Sequence, residues 1–212
     1  MKKTKIALTL VCAILLVAAS VMGTLAYLTS TPGAVTNTFT VGSDVVITLD
    51  EAPVDANGKK TNGTRGNGNS YKLLPGHEYD KDPTVHVKGE SCYVFVKVTN
   101  AISTIEDTSN TIASQMTSNG WVAVAGYNGV YIYNKTTGAN KTAVSGSETA
   151  PTDLPVFATF KIKGDLDHTA LSTYATTETN GMNITINAYA IQSDGLESKT
   201  PAEIWAILNP TT

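Results

Sequence analysis

Cysteine is nearly missing from this sequence: 212 residues hold two, Cys12 and Cys92. Cys12 lies in an apolar stretch near the N-terminus, so the remainder keeps a single thiol. That excludes an internal disulfide framework and a cysteine metal cluster. Cys92 is in phase with Val94, Val96 and Val98, which reads as a buried, inert thiol. Charge is scarce too. Asp, Glu, Lys and Arg make up 16% of the chain, against about 25% in ordinary domains. The net charge is −3, which leaves no electrostatic footprint for nucleic acid or an anionic membrane. The sequence has no HExxH helix and no Gly-x-Ser-x-Gly elbow, and its glycines do not form a nucleotide loop. Thr, Ser, Asn and Gly fill the space instead, the surface chemistry of an all-β protein.

The N-terminus carries the clearest signal. Lys2, Lys3 and Lys5 precede an uncharged apolar run from Ile6 to Leu28. Basic start, apolar middle and small residues at the end are the order of a secretion signal. Gly23-Thr24-Leu25-Ala26 suits a peptidase, so the cut is expected after Ala26, leaving Tyr27 as the first mature residue. The run is also long enough to serve as an uncleaved membrane anchor, the one route by which a membrane would enter. Without the three signal lysines, twelve basic residues face eighteen acidic ones, a net charge of −6. The expected organisation is a signal peptide at 1–26, an extended segment at 27–40 and one β domain at 41–212.

Within that domain, apolar residues alternate. Val45, Ile47 and Leu49 mark a first strand. Asp55 to Ser70 is rich in Gly and Asn and reads as an exposed, mobile loop. Pro83–Lys88 and Ser91–Thr99 read as two strands joined by a Gly89-Glu90 hairpin connection. Ser103 and Glu106 suggest a capping box for a helix to about Ser118. Tyr127-Asn128-Gly129 marks a hairpin between Trp121–Ala125 and Val130–Asn134. Val156, Ala158, Phe160 and Ile162 alternate as another strand, and Asp167 to Tyr174 reads as a helical turn. Met182, Ile184, Ile186, Ala188 and Ala190 share one face of a long strand. Thr200-Pro201-Ala202-Glu203 opens a last helix. Period-two alternation with one polar face predicts a mainly-β, two-sheet antiparallel sandwich, jelly-roll-like, with two or three short helices.

Candidate chemistry is thin. His77, Glu78, Asp80 and Asp82 concentrate donors in one loop, and Asp165, Asp167 and His168 form a second cluster. Together they could hold calcium or zinc, although a solvated loop and a helix cap explain both. His86 is expected to face outward without a role. Tyr93, Tyr127, Tyr131 and Tyr133 could form a sugar platform or simply pack. No catalytic residue and no organic cofactor is assigned. The segment Tyr27 to Thr40 is uncharged and β-capable, and Tyr27, Leu28, Val35 and Phe39 are its apolar contacts for pairing. Such a terminus can add a strand to the exposed sheet edge of another copy, and head-to-tail pairing that does not close makes a filament.

Several pieces together resemble one family. They are Gly23 to Thr29 (GTLAYLT), Asn37 to Gly42 (NTFTVG), Val45 to Glu51 (VVITLDE), Leu73 to Val87 (LLPGHEYDKDPTVHV), Tyr93 to Val98 (YVFVKV), and AYAIQSDGLES with PAEIWAIL between Ala188 and Leu208. In order and over most of the chain, the sequence looks like the TasA/camelysin family of Gram-positive bacteria. The resemblance implies export through a dedicated signal peptidase and a jelly-roll domain at the cell surface or in the biofilm matrix. It implies polymerisation with itself, or with related matrix proteins, by donation of the mature N-terminal strand. Camelysin-like members are described as surface metalloproteases, and this sequence lacks the HExxH motif. A monomeric adhesin or carbohydrate-binding module is the remaining alternative.

Overall fold

The computed structural model describes residues 44–177 and 182–209. Among them are nine strands: β1 (Val45–Asp50), β2 (Glu78–Asp80), β3 (Thr84–Asn100), β4 (Trp121–Ala123), β5 (Val130–Tyr133), β6 (Val144–Gly146), β7 (Thr152–Pro155), β8 (Thr159–Lys161) and β9 (Ile184–Gln192). Three short helices complete the set: α1 (Ile112–Ser118), α2 (His168–Thr177) and α3 (Pro201–Leu208). The protein is mainly β and antiparallel, the sandwich-like fold with short helices that the alternation predicts.

The long strand β3 organises the fold. Its first half pairs with β1 on one side and β7 on the other, and its second half pairs with β9 and β5. The hairpin β4–β5 adds the outermost strand, and β2–β8 form a separate two-stranded sheet. No hairpin turn occurs at Gly89-Glu90. The chain instead runs through as one strand with a bulge. Gly89 is opposite Gly146 and Cys92 opposite Val144, so β3 uses one more residue than β6 between these pairs. An extra residue reverses which side chains face inward. Val85 and Val87 point into the core before the bulge; Cys92, Val94 and Val96 do so after it. Gly89 takes φ +81° there, and a Cβ would strike the Asp44 carbonyl oxygen, so the position needs glycine.

The bend folds the strand back on itself and makes two layers. The end of β1 and the start of β9 line one groove, although they pair with opposite ends of β3. One core lies between the layers, with Val85, Val87, Val94, Val96, Trp121 and Phe157 fully buried. Each side chain of this size contributes about 1.5–3 kcal/mol by leaving water. The second half of β3 is also covered on its other face. There Tyr93 and Phe95 pack with Val130, Ile132 and the helix α3 residues Ile204 and Trp205. Trp205 lies 5.6 Å from the Phe95 ring and 5.0 Å from the Tyr189 ring. Burial on both faces accounts for the unbroken apolar run from Tyr93 to Val96.

Other local expectations resolve differently. The Asn-Gly hairpin forms, and Thr200 with Glu203 closes a full capping box on α3 with Pro201 in its first turn. The helix expected from Ser103 is shorter: α1 starts at Ile112, capped by Thr111. Glu106 is buried outside the helix, where it accepts from the Ile112 N–H at 2.6 Å and from Asn100 at 3.1 Å. Its carboxylate thus satisfies an orphan donor of the first turn from a distance. Of the expected strand at 156–162, only Thr159–Lys161 is strand; Val156 and Phe157 are core residues in the connection before it.

Candidate functional site: open strand edges beside a charged network

The strands β1 and β9 are each paired on one side only among the described residues. Their inward rows, Val45, Ile47 and Leu49 on β1 and Ile184, Ile186 and Ala188 on β9, pack against the core yet stay only partly buried. Between the two ends runs a groove of about 440 Å³ floored by Leu49, Ile184 and Ile186 and walled by Gly66 to Asn69. A second recess of about 230 Å³ continues it past Asn69 and Lys81 to Tyr71 and Ile102. Apolar floor, unpaired backbone and extended walls are the features that accept an added strand.

The wall is held by charge. Arg65, the only arginine in the chain, donates from Nε to Asp50, from Nη1 to Asp82 at 3.0 Å and from Nη2 to the Asp82 carbonyl at 2.9 Å. Asp82 also accepts from the Ala52 N–H at 2.7 Å and from Lys60 at 2.6 Å. Burial pushes the Asp50 and Asp82 carboxyls up; Arg65 and His86 at Asp50, and Lys60, the Ala52 N–H and Arg65 at Asp82, more than offset it, so both lie below the ordinary carboxylate value. The segment expected to be a mobile loop is therefore tied down. Backbone bridges join Glu51 to Gly66 and Val54 to Lys60. Gly58, at φ +71°, fits against the Tyr79 ring. The missed signal was the lone arginine among glycines, whose partners lie fifteen and seventeen residues away.

Deeper in the wall sits a polar cluster. Lys81 and Glu51 are 8% and 4% exposed. Lys81 Nζ donates to Glu51 Oε2 at 2.6 Å. Asn69 Nδ2 donates to Glu51 Oε1 at 3.0 Å and to the Ala52 carbonyl at 2.9 Å. The Val54 N–H donates to Asn69 Oδ1 at 3.3 Å.

The residues singled out from sequence are distributed around this region. Ala26, Tyr27, Leu28, Val35 and Phe39 lie outside the described residues. His77 Nε2 meets the Asn57 carbonyl at 2.8 Å, and its ring lies 4.5 Å from that of Tyr79. Glu78 accepts from Thr159, while Asp80 accepts from the Lys60 N–H at 2.8 Å. Asp167 caps the Ala170 N–H at 2.7 Å, and His168 lies beside Ser172. Among the described residues, no three His, Cys, Asp or Glu side chains are grouped to hold a metal ion. His86 does have partners: Asp153 on β7 and Asp50 on β1. Tyr93 and Tyr133 are buried, so packing rather than a sugar platform claims them.

These features define a class: an antiparallel β-sandwich domain whose most developed surface is a groove between open strand edges. No protein-family model matches the chain, and no curated protein and no solved structure matches it.

Proposed function

We propose that this protein is a secreted structural subunit of extracellular fibres, in which residues 27–40 of one copy add a strand to the groove of the next. The observation that carries the reading is the pair of one-sided strands β1 and β9, with half-buried apolar rows beside a common groove. The sequence supports it: an export signal that frees an uncharged, β-capable segment directly ahead of β1, and the TasA/camelysin resemblance. A donor of fourteen residues extends about 46 Å, ample for a groove bounded by strands of six and nine residues.

The experiment compares two forms of the secreted chain by electron microscopy, one beginning at Tyr27 and one lacking residues 27–40. Fibres are expected from the first alone. A synthetic peptide of residues 27–40 should bind the shortened form and raise its melting temperature. Absence of fibres from the longer form under all assembly conditions, or fibres equally from both, overturns the proposal.

A further inference from the structure

The cluster of Lys81, Asn69 and Glu51 has the composition and arrangement of a self-linking site. We infer that Lys81 and Asn69 are joined by an intramolecular isopeptide bond, formed with Glu51 as the proton carrier.

The geometry supplies each role. One carboxylate holds both reactants, Lys81 at Oε2 and the Asn69 amide nitrogen at Oε1. Positioning amine and amide on a single rigid group replaces an encounter between separate groups by a local one. Lys81 and Glu51 are buried, where holding a charged pair is costly, while Asn69 stands part-buried at the groove wall. Transfer of a proton from the Lys81 ammonium to Glu51 leaves a neutral amine with a free electron pair. That pair attacks Asn69 Cγ and forms the new C–N bond. The Val54 N–H already donates to Asn69 Oδ1, so a backbone donor awaits the negative charge that develops on that oxygen. Glu51 returns its proton to Nδ2, the old C–N bond breaks, and the nitrogen departs with the surplus proton as ammonium. Glu51 ends as a carboxylate beside the new secondary amide. Atoms and charge balance, and no oxidant or cofactor is consumed. The bond would stand in for a disulfide, since Cys92 is the only cysteine among the described residues, and it would fix the groove wall at Asn69 to the end of β2.

Trypsin and mass spectrometry test this on the secreted full domain. A linked Lys81 resists cleavage, so Gly66–Lys72 should appear joined to Leu73–Lys88, lighter than the two together by one ammonia. Lys81→Arg and Glu51→Gln should each abolish the joined species, with Glu51→Gln leaving both reactants in place. Asn-Gly steps can also lose ammonia by succinimide formation, but that loss stays within one peptide, yields to hydroxylamine and survives Lys81→Arg. Recovery of Gly66–Lys72 and Leu73–Lys81 as separate peptides at full mass from the native protein overturns the inference, as does a joined species that persists in Glu51→Gln.

Discussion

His86 stands directly across from Asp153 in the β3–β7 ladder, with ring Nδ1 2.6 Å from the carboxylate. Its Nε2 lies 3.0 Å from Asp50, which also binds Arg65. Lys88, the next β3 residue on that face, is engaged by Glu148. Burial pushes the imidazole pKa down, and the two carboxylates more than reverse it, so His86 titrates above its ordinary 6.5. Stabilisation from its charge is then full below pH 6.5 and fades as pH rises through the raised value. Asp50 and Asp82 have the opposite sign: their contribution holds above 3.8 and is lost as pH falls through their lowered values. In urea titrations at about pH 5.5 and about pH 8.5, His86→Gln should lose up to ~1 kcal/mol relative to wild type at the lower pH only, the scale of a partly exposed ion pair. An equal loss at both would refute the charge argument.

Gly89→Ala should damage the bend in β3. The substitution meets both a left-handed backbone and a collision with Asp44, and a loss of about 2 kcal/mol or more is expected. Gly126 has a similar φ of +84° with open space around it. Gly126→Ala should therefore lose only about 1 kcal/mol, the backbone component alone. Equal losses in a urea melt would remove the collision from the explanation.

Cys92 is fully buried, and burial pushes its thiol up to about 11. A thiol so placed lacks the thiolate that reacts. Ellman's reagent should leave the native protein unlabelled at neutral pH and label one thiol per domain in denaturant. Rapid native labelling would show that the layers open.

The cap on α3 should matter beyond the helix. Thr200 accepts from the Glu203 N–H at 3.3 Å, and Glu203 accepts from the Thr200 N–H at 2.7 Å. Thr200→Ala is expected to cost about 1 kcal/mol. In a Trp121→Phe background Trp205 becomes the sole reporter, and its emission should shift to longer wavelength as the helix loosens from Phe95. Unchanged stability and emission would mean that packing alone holds α3.

What was legible in the sequence was local. Tyr127-Asn128-Gly129 and Thr200 with Glu203 specify a turn and a cap within four residues, so their chemistry reads directly. The alternation of Val45, Ile47 and Leu49 likewise fixed a strand and its buried face. Gly89-Glu90 misled because its meaning depends on Gly146, a partner far along the chain; locally a bulge and a hairpin connection look alike. The spacing from Ser103 marks Glu106 as a capping residue, and it does cap, but from a buried position where Asn100 also donates to it. Glu51 and Lys81 were invisible as a pair because thirty residues separate them and nothing in either neighbourhood marks the other.

The bent strand also bears on how the molecule comes apart. Because β3 belongs to both layers, neither can dissolve while the other keeps its ladder intact. Peeling β1 and β7 from its first half exposes Val85 and Val87, the same core that seats Val94 and Val96 of its second half. The two layers should accordingly melt in a single cooperative transition. A molecule pulled lengthwise would then resist as one unit until it fails, rather than yielding layer by layer.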